Sequence, residues 1–198
     1  MFLNNPDELH VMLDLETVST EPNAGIIQIG ACFVKDTTNN YKQKISFSSI
    51  ESHNSKAQGD SQFNISYETL HWWNKQNTVI RAEVFSGTKG ISDVLQEFGE
   101  WLTKLAQGSG KKVTLWGNGA DFDCTIIRKA FHNTMNNYPI SYKNHRCYRT
   151  MTAFMPKALK DSVPANLKPH DALADAIYQA NVLSLWNDST YIHKQTGD

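Results

Sequence analysis

The stretch HVMLDLET, residues 10–17, decides the fold. Val11, Leu13 and Leu15 recur at the two-residue period of a strand. Residues two apart in a strand share a face, so Asp14 and Glu16 stand side by side near its end. Adjacent carboxylates repel, which raises the proton affinity of one unless a cation lies between them. Such a strand end is either a solvent-exposed acidic terminus or half of a metal site.

Outward from it, Gly25 to Val34 is almost continuously apolar, broken by Gln28, and reads as a second, central strand. Residues 17–25, TVSTEPNAG, are turn material between the two. Lys42 to Phe47 reads as a third strand, and short connections predict an antiparallel meander. Residues 51–64 are polar without periodicity and are expected to form an exposed loop. Ser66 to Gln76 reads as a helix capped by Ser66. Ile91 to Gln107 is an amphipathic helix with Ile91, Val94, Leu95, Phe98, Leu102 and Leu105 on one face, stopped by Gly108, Ser109 and Gly110. Val113 to Trp116 is a short buried strand, Asp121 to Phe131 a helix, and Arg146 to Tyr148 an edge strand. Asp171 to Trp186 is the last long helix, with Leu173, Ile177, Ala180 and Leu183 facing the core. Three strands followed by alternating helix and strand predict an α/β fold with a mixed sheet, one domain over residues 1–198.

Composition bounds the function. The chain has 198 residues, 40% of them hydrophobic, and a net charge of −1. That excludes global disorder and a uniformly basic nucleic-acid binder. Charge is nevertheless segregated: residues 128–168 hold 8 basic groups and 1 acidic one, between acidic flanks. Asymmetry of this kind steers polyanions. Cys32, Cys124 and Cys147 lack zinc or redox spacing and are expected to be reduced thiols. The opening MFLNNPDELH lacks the basic head and apolar run of a signal peptide. No stretch approaches the roughly 20 apolar residues of a spanning helix. A soluble, cytoplasmic protein without membrane partners is expected.

Two further motifs carry chemistry. In GNGADFDCTII, residues 117–127, the glycines permit a tight turn and two acids sit at a helix start, where the dipole favours them. Asp121 and Asp123 lie about 200° apart around a helix, so only one can face a given site. In PHDALADA, residues 169–176, Asp171 reads as the N-cap, His170 lies just outside the helix and Asp175 one turn in. A histidine beside carboxylates is suited to take a proton from water. Asp14, Glu16, Asp123, His170 and Asp175 thus come from four elements of one domain. Oxygen donors select hard cations, Mg²⁺ or Mn²⁺, and four carboxylates nearly neutralise two such ions. Phosphodiester hydrolysis by two metals needs this arrangement: one ion lowers the pKa of an attacking water and the other stabilises the leaving oxygen.

DLET, FDCTII and HDALADA, in this order, resemble the DEDDh 3′-5′ exonuclease superfamily, the group of the proofreading exonucleases. The resemblance runs from Val11 to about Leu183. TLHWWNKQ at residues 69–76 and WGNGADFD at residues 116–123 look closest to phage exonuclease A-like proteins and the catalytic domain of exodeoxyribonuclease VIII. The resemblance implies an RNase H-like mixed five-stranded sheet flanked by helices. It implies Asp14 as the acid bridging both metals, Glu16 and Asp175 as ligands beside the nucleophilic water, Asp123 as the acid of the second metal, and His170 as general base. Asp123 rather than Asp121 follows from its match to the family's Phe-Asp pair. Many members carry an Asn four residues before that Asp, where this chain has Gly119.

The expected reaction is release of 5′-mononucleotides from a free 3′ end of nucleic acid, with DNA the first choice. The alternatives are an exoribonuclease and a non-catalytic nucleic-acid-binding module. Trp72 and Trp73 lie about 100° apart on a helix, so one packs inward while the other faces the cleft, where a base can stack. Trp73 is assigned to that cleft with Thr17 and with Ile26, which lies across from the acidic strand. The basic residues of 128–168, Arg149 among them, are candidates to follow phosphates. A homodimer is compatible with the exposed tryptophan pair and the acidic N-terminal half, and a phage origin, acting in a host cytoplasm, with the resemblance.

Overall fold

The computed structural model describes residues 2–196 apart from residue 136, with side chains described to residue 190. Five strands form one sheet in the order β3-β2-β1-β4-β5. Strands β1 (Glu8–Thr17), β2 (Ile26–Phe33) and β3 (Asp36–Lys44) make the antiparallel meander. Strands β4 (Lys112–Gly117) and β5 (His145–Cys147) run parallel to β1. The first strand is therefore central, and its alternation is set by two buried faces.

Val11, Leu13 and Leu15 join the larger core with Phe98 and Leu102 of helix α4 (Ile91–Ser109) and Phe131 of helix α5 (Thr125–Thr134). Met12 joins a second core with Cys32, Trp116 and, from helix α8 (Ala172–Thr196), Ala176 and Ala180. Asp14 and Glu16 continue the second face, beyond the last apolar residue on it. Gly30 makes this possible. It pairs with Asp14, and a Cβ there would lie 2.1 Å from the backbone of Ala172, so α8 starts directly on the sheet.

Several expectations change. The third strand is Asp36–Lys44, not Lys42 to Phe47. It is a polar edge strand with solvent on much of its surface, so no apolar alternation marks it. The expected loop at residues 51–64 begins with the second half of helix α1 (Phe47–Lys56) and includes a 3₁₀ turn at Gly59–Ser61. Ile50 is the helix's one fully buried side chain, too little to give a periodic signal. Tertiary bonds hold it instead: Asn54 Nδ2 donates to the Phe63 carbonyl and its Oδ1 accepts from the Phe63 N–H, both at 2.7 Å.

Helix α2 (Tyr67–Asn74) starts at the predicted cap, Ser66, and is followed by α3 (Thr78–Val84). Short helices α6 (Tyr148–Thr152) and α7 (Lys157–Asp161) follow β5, so Tyr148 begins a helix rather than ending the strand. On α8 the buried face is Ala172, Ala176, Ala180 and Leu183, while Leu173 and Ile177 are only partly buried. Close approach at Gly30 requires small side chains where amphipathicity suggested large ones. No helix among the described residues is long and apolar enough to cross a membrane.

Candidate active site

Four acids converge where β1 ends. Asp14, Glu16 and Asp175 each offer a carboxylate oxygen, and these atoms lie within 4.8 Å of one another. The pleat supplies the first two. The third comes from the first turn of α8, whose N-cap Asp171 accepts from the Ala174 N–H at 3.2 Å and pairs with Lys42. Asp123 arrives from the other side of β1. One turn of π-helix, Ala120–Cys124, follows β4, and both Phe122 and Asp123 donate to the Gly119 carbonyl. This winding buries Asp123, whose Oδ1 accepts from the Leu15 N–H at 3.2 Å, and leaves Asp121 exposed. Gly117 is needed beneath it, because a Cβ there would sit 2.9 Å from the Asp123 Cβ.

The electrostatics follow from burial and like charge. Asp14 is pushed well above the usual carboxylate range by burial and then by Asp123, Glu16 and Asp175, against one hydrogen bond from Gln179 Nε2 at 2.8 Å. Burial, with Asp175 and Asp123 next, raises Glu16 to about 8. Burial raises Asp123 to about 7, opposed by the N–H groups of Leu15 and Asn118. Asp175 is raised by burial in spite of hydrogen bonds from Asn166 and the His170 backbone. A cluster of all-oxygen donors that holds protons so tightly lacks positive charge, and a hard divalent cation fits it in donor type and spacing.

His170 precedes α8 in the left-handed region, at φ 64°. That conformation costs a non-glycine residue about 1–3 kcal/mol unless its surroundings fix it. Here the His170 N–H donates to Asp175 Oδ2 at 2.9 Å, and Asn166 Nδ2 donates to Asp175 Oδ1 at 2.7 Å. The imidazole packs edge-on against Trp72 and Trp73, with ring centroids 5.0 and 6.1 Å away. Asn166 and Gln179 were not foreseen. A side chain bonding across the fold leaves no local pattern.

Beside the acids lies a cavity of about 620 Å³ lined by Glu16, Thr17, Thr69, Trp72, Trp73 and Phe122, among others. Trp73 is the inward-packed tryptophan, only 2% exposed, and its Nε1 donates to the Thr17 carbonyl at 2.9 Å. Trp72, 42% exposed, is the indole that presents a surface. The helix phase thus reverses the expected roles of the pair. Thr17 is nearly buried and donates its hydroxyl to the Ser19 carbonyl at 2.6 Å. Ile26 pairs with Thr17 but is fully buried in the core, so the structure leaves it no surface for substrate.

This sheet order, with carboxylates gathered at the end of its first strand, is that of an RNase H-like fold. The model of the 3′-5′ exoribonuclease Rv2179c-like domain family matches residues 9–186, and the chain belongs to that family. It is similar in structure to the nuclease domain of 3′hExo, a DEDDh family member, bound to rAMP, with a TM-score of 0.58 and 13% identity over 94% of each chain. A full-length 3′-exonuclease superposes with a TM-score of 0.46 at 14% identity, over 91% of this chain and 82% of its own. A 3′-exonuclease in a structure of 3′-end specific recognition of histone mRNA stem-loop gives 0.47 at 13%, over 91% and 81%. No curated protein matches the sequence.

Proposed function

We propose that the protein shortens RNA from a free 3′ end, releasing nucleoside 5′-monophosphates with the help of two Mg²⁺ or Mn²⁺ ions. One observation carries the reading: the carboxylates of Asp14, Glu16 and Asp175 meet within 4.8 Å, and Glu16 lines the adjoining cavity. Asp14 would touch both ions, Glu16 and Asp175 the ion nearer the attacking water, and Asp123 the other. Ions held there lower the pKa of water and balance charge on the phosphodiester. His170 takes the proton of the attacking water through its imidazole. The left-handed backbone, fixed by Asp175, ties that ring to the same carboxylate that orders the site. Trp72 offers a face to the terminal base, and Thr17 and Trp73 form the cavity wall behind it.

RNA is preferred to DNA because the family is described as exoribonucleolytic. DNA stays as the second reading on the likeness of residues 69–76 to the phage exonucleases and exodeoxyribonuclease VIII. A purely binding module would have no use for four converging like charges. The test is one gel with 5′-labelled single- and double-stranded RNA and DNA in Mg²⁺, Mn²⁺ or EDTA. A ladder of one-nucleotide steps from the 3′ end, with RNA shortened faster and EDTA abolishing it, is the expected result. Internal cleavage, or the same ladder in EDTA, overturns the reading.

A further inference from the structure

Arg149 lies in the first turn of α6, just after β5, at the same end of the sheet as the acids. Its Nη2 donates to the Asn118 carbonyl at 3.1 Å. The guanidinium carbon lies 3.9 Å from where a Cβ on Gly119 would be, beside the turn that carries Asp123. The side chain is exposed. Among the described residues no carboxylate lies within ion-pairing distance of it, whereas Arg146, three residues earlier in β5, is paired with Glu8. Its charge draws down the Asp123 pKa. An arginine anchored by one backbone bond, with its other donors turned to solvent, is prepared for an oxyanion from outside the protein.

The fold also says which oxyanion. The cavity beside Glu16 lies along the end of β1 and α2. Arg149 lies beyond β4, two strands over from β1. A polynucleotide whose last nucleoside fills the cavity meets α2 on one side. On another it meets the His170 segment, tied down by Asn166 and His170 to Asp175. Phe122, in the turn that follows β4, lines the same cavity, so a chain can leave it over the β4 and β5 ends. Resting on the exonuclease reading above, we infer that Arg149 grips a phosphate on the 5′ side of the scissile bond, through its planar fork, and so sets the grip on chains longer than one nucleotide.

Two substrates separate the possibilities: a single-stranded RNA oligonucleotide, and the p-nitrophenyl ester of a nucleoside 5′-monophosphate, which has no phosphate on that side. In Arg149→Ala the KM for the oligonucleotide rises about tenfold, the size of one lost charge-assisted contact, while kcat stays within about twofold. Turnover of the ester is unchanged. For oligonucleotide binding in EDTA, the slope of log K against log salt falls by about 0.7, one phosphate of a single strand. Arg149→Lys keeps the charge without the fork and lies between. Lys104→Ala, on the exposed face of α4, changes none of these values.

An equal loss on both substrates overturns the inference, because Arg149 would then act through Asp123. An unchanged KM and salt slope, or an equal effect in Lys104→Ala, also overturns it. If the wild-type protein hydrolyses neither substrate with either metal, the exonuclease reading fails first and the role of Arg149 with it.

Discussion

At the residue scale, two acids two positions apart have opposite environments. Asp123 is buried beneath β1 and Asp121 is exposed, because a π turn winds the chain between them. Asp123→Asn should therefore lower the exonuclease rate by about three orders of magnitude or more, consistent with loss of charge stabilisation in a buried site. Asp121→Asn should leave it within about twofold. Parallel rates on one oligonucleotide check this, and similar losses in both would mean the ligand lies elsewhere. His170→Ala should cost about 10²–10⁴ in rate, the usual contribution of a positioned base. Calorimetric Mn²⁺ binding should survive, since the contact to Asp175 is made by the backbone N–H. Loss of metal affinity in that variant would make the imidazole a ligand rather than a base.

At the element scale, the site depends on how closely α8 lies on β2. A Cβ at Gly30 would come within 2.1 Å of the Ala172 and Leu173 backbones, so Gly30→Val must push the helix start away. Overpacking costs about 1–3 kcal/mol, occasionally more. Activity should fall further than stability, because Asp175 and His170 move with the helix. Gly108→Ala is the contrast. It lies near the end of α4 with nothing within 4 Å of its Cβ. It should stabilise by about 0.5–1 kcal/mol without touching activity. Urea unfolding of both variants, read beside their rates, tests the pair. This scale was the hardest to see in sequence. A helix such as α1, with one buried residue and a side chain bonded nine positions away, gives no periodicity, and a polar edge strand such as β3 gives no alternation.

At the scale of the whole molecule, the cluster should be visible as a dependence of stability on pH. Glu16, at about 8, and Asp123, at about 7, both lie above their ordinary values of 4.5 and 3.8. Groups raised in the folded state bind protons more tightly than the unfolded chain. Their stabilisation is complete below pH 4 and is lost as the pH rises through 7 to 8. Burial acts the other way on His10, lowering it to about 4, while the Trp116 indole donates to its Nδ1 at 3.1 Å. That contribution is present above about pH 6.5 and is lost as pH falls toward 4.

In EDTA the raised acids outweigh His10 between pH 4 and 6.5, so the melting temperature should be highest near pH 4–5. It should then drop by roughly 5–10 °C toward pH 8.5, at about 2–4 °C per kcal/mol for a chain of this size. Saturating Mn²⁺ should remove the alkaline fall, and Asp14→Asn should blunt it without metal by deleting one like charge. A flat EDTA profile from pH 6 to 8.5 would refute the electrostatic account of the cluster.

The sequence by itself determined the first two strands of the meander, and it set the acids and the histidine in legible motifs. Each is encoded within a few residues: a period of two, a run of apolar side chains, a cap, a motif. What only the tertiary structure decided is which surface meets which. Trp73 is turned into the core and Trp72 to the cavity, Ala172 and Ala176 rather than Leu173 and Ile177 seat α8, and Arg149 of α6 comes beside the turn that carries Asp123. Local periodicity fixes the side of an element on which a residue stands. Distances between elements are set by how closely their surfaces pack, and that depends on residues such as Gly30 and Ala172, more than a hundred positions apart.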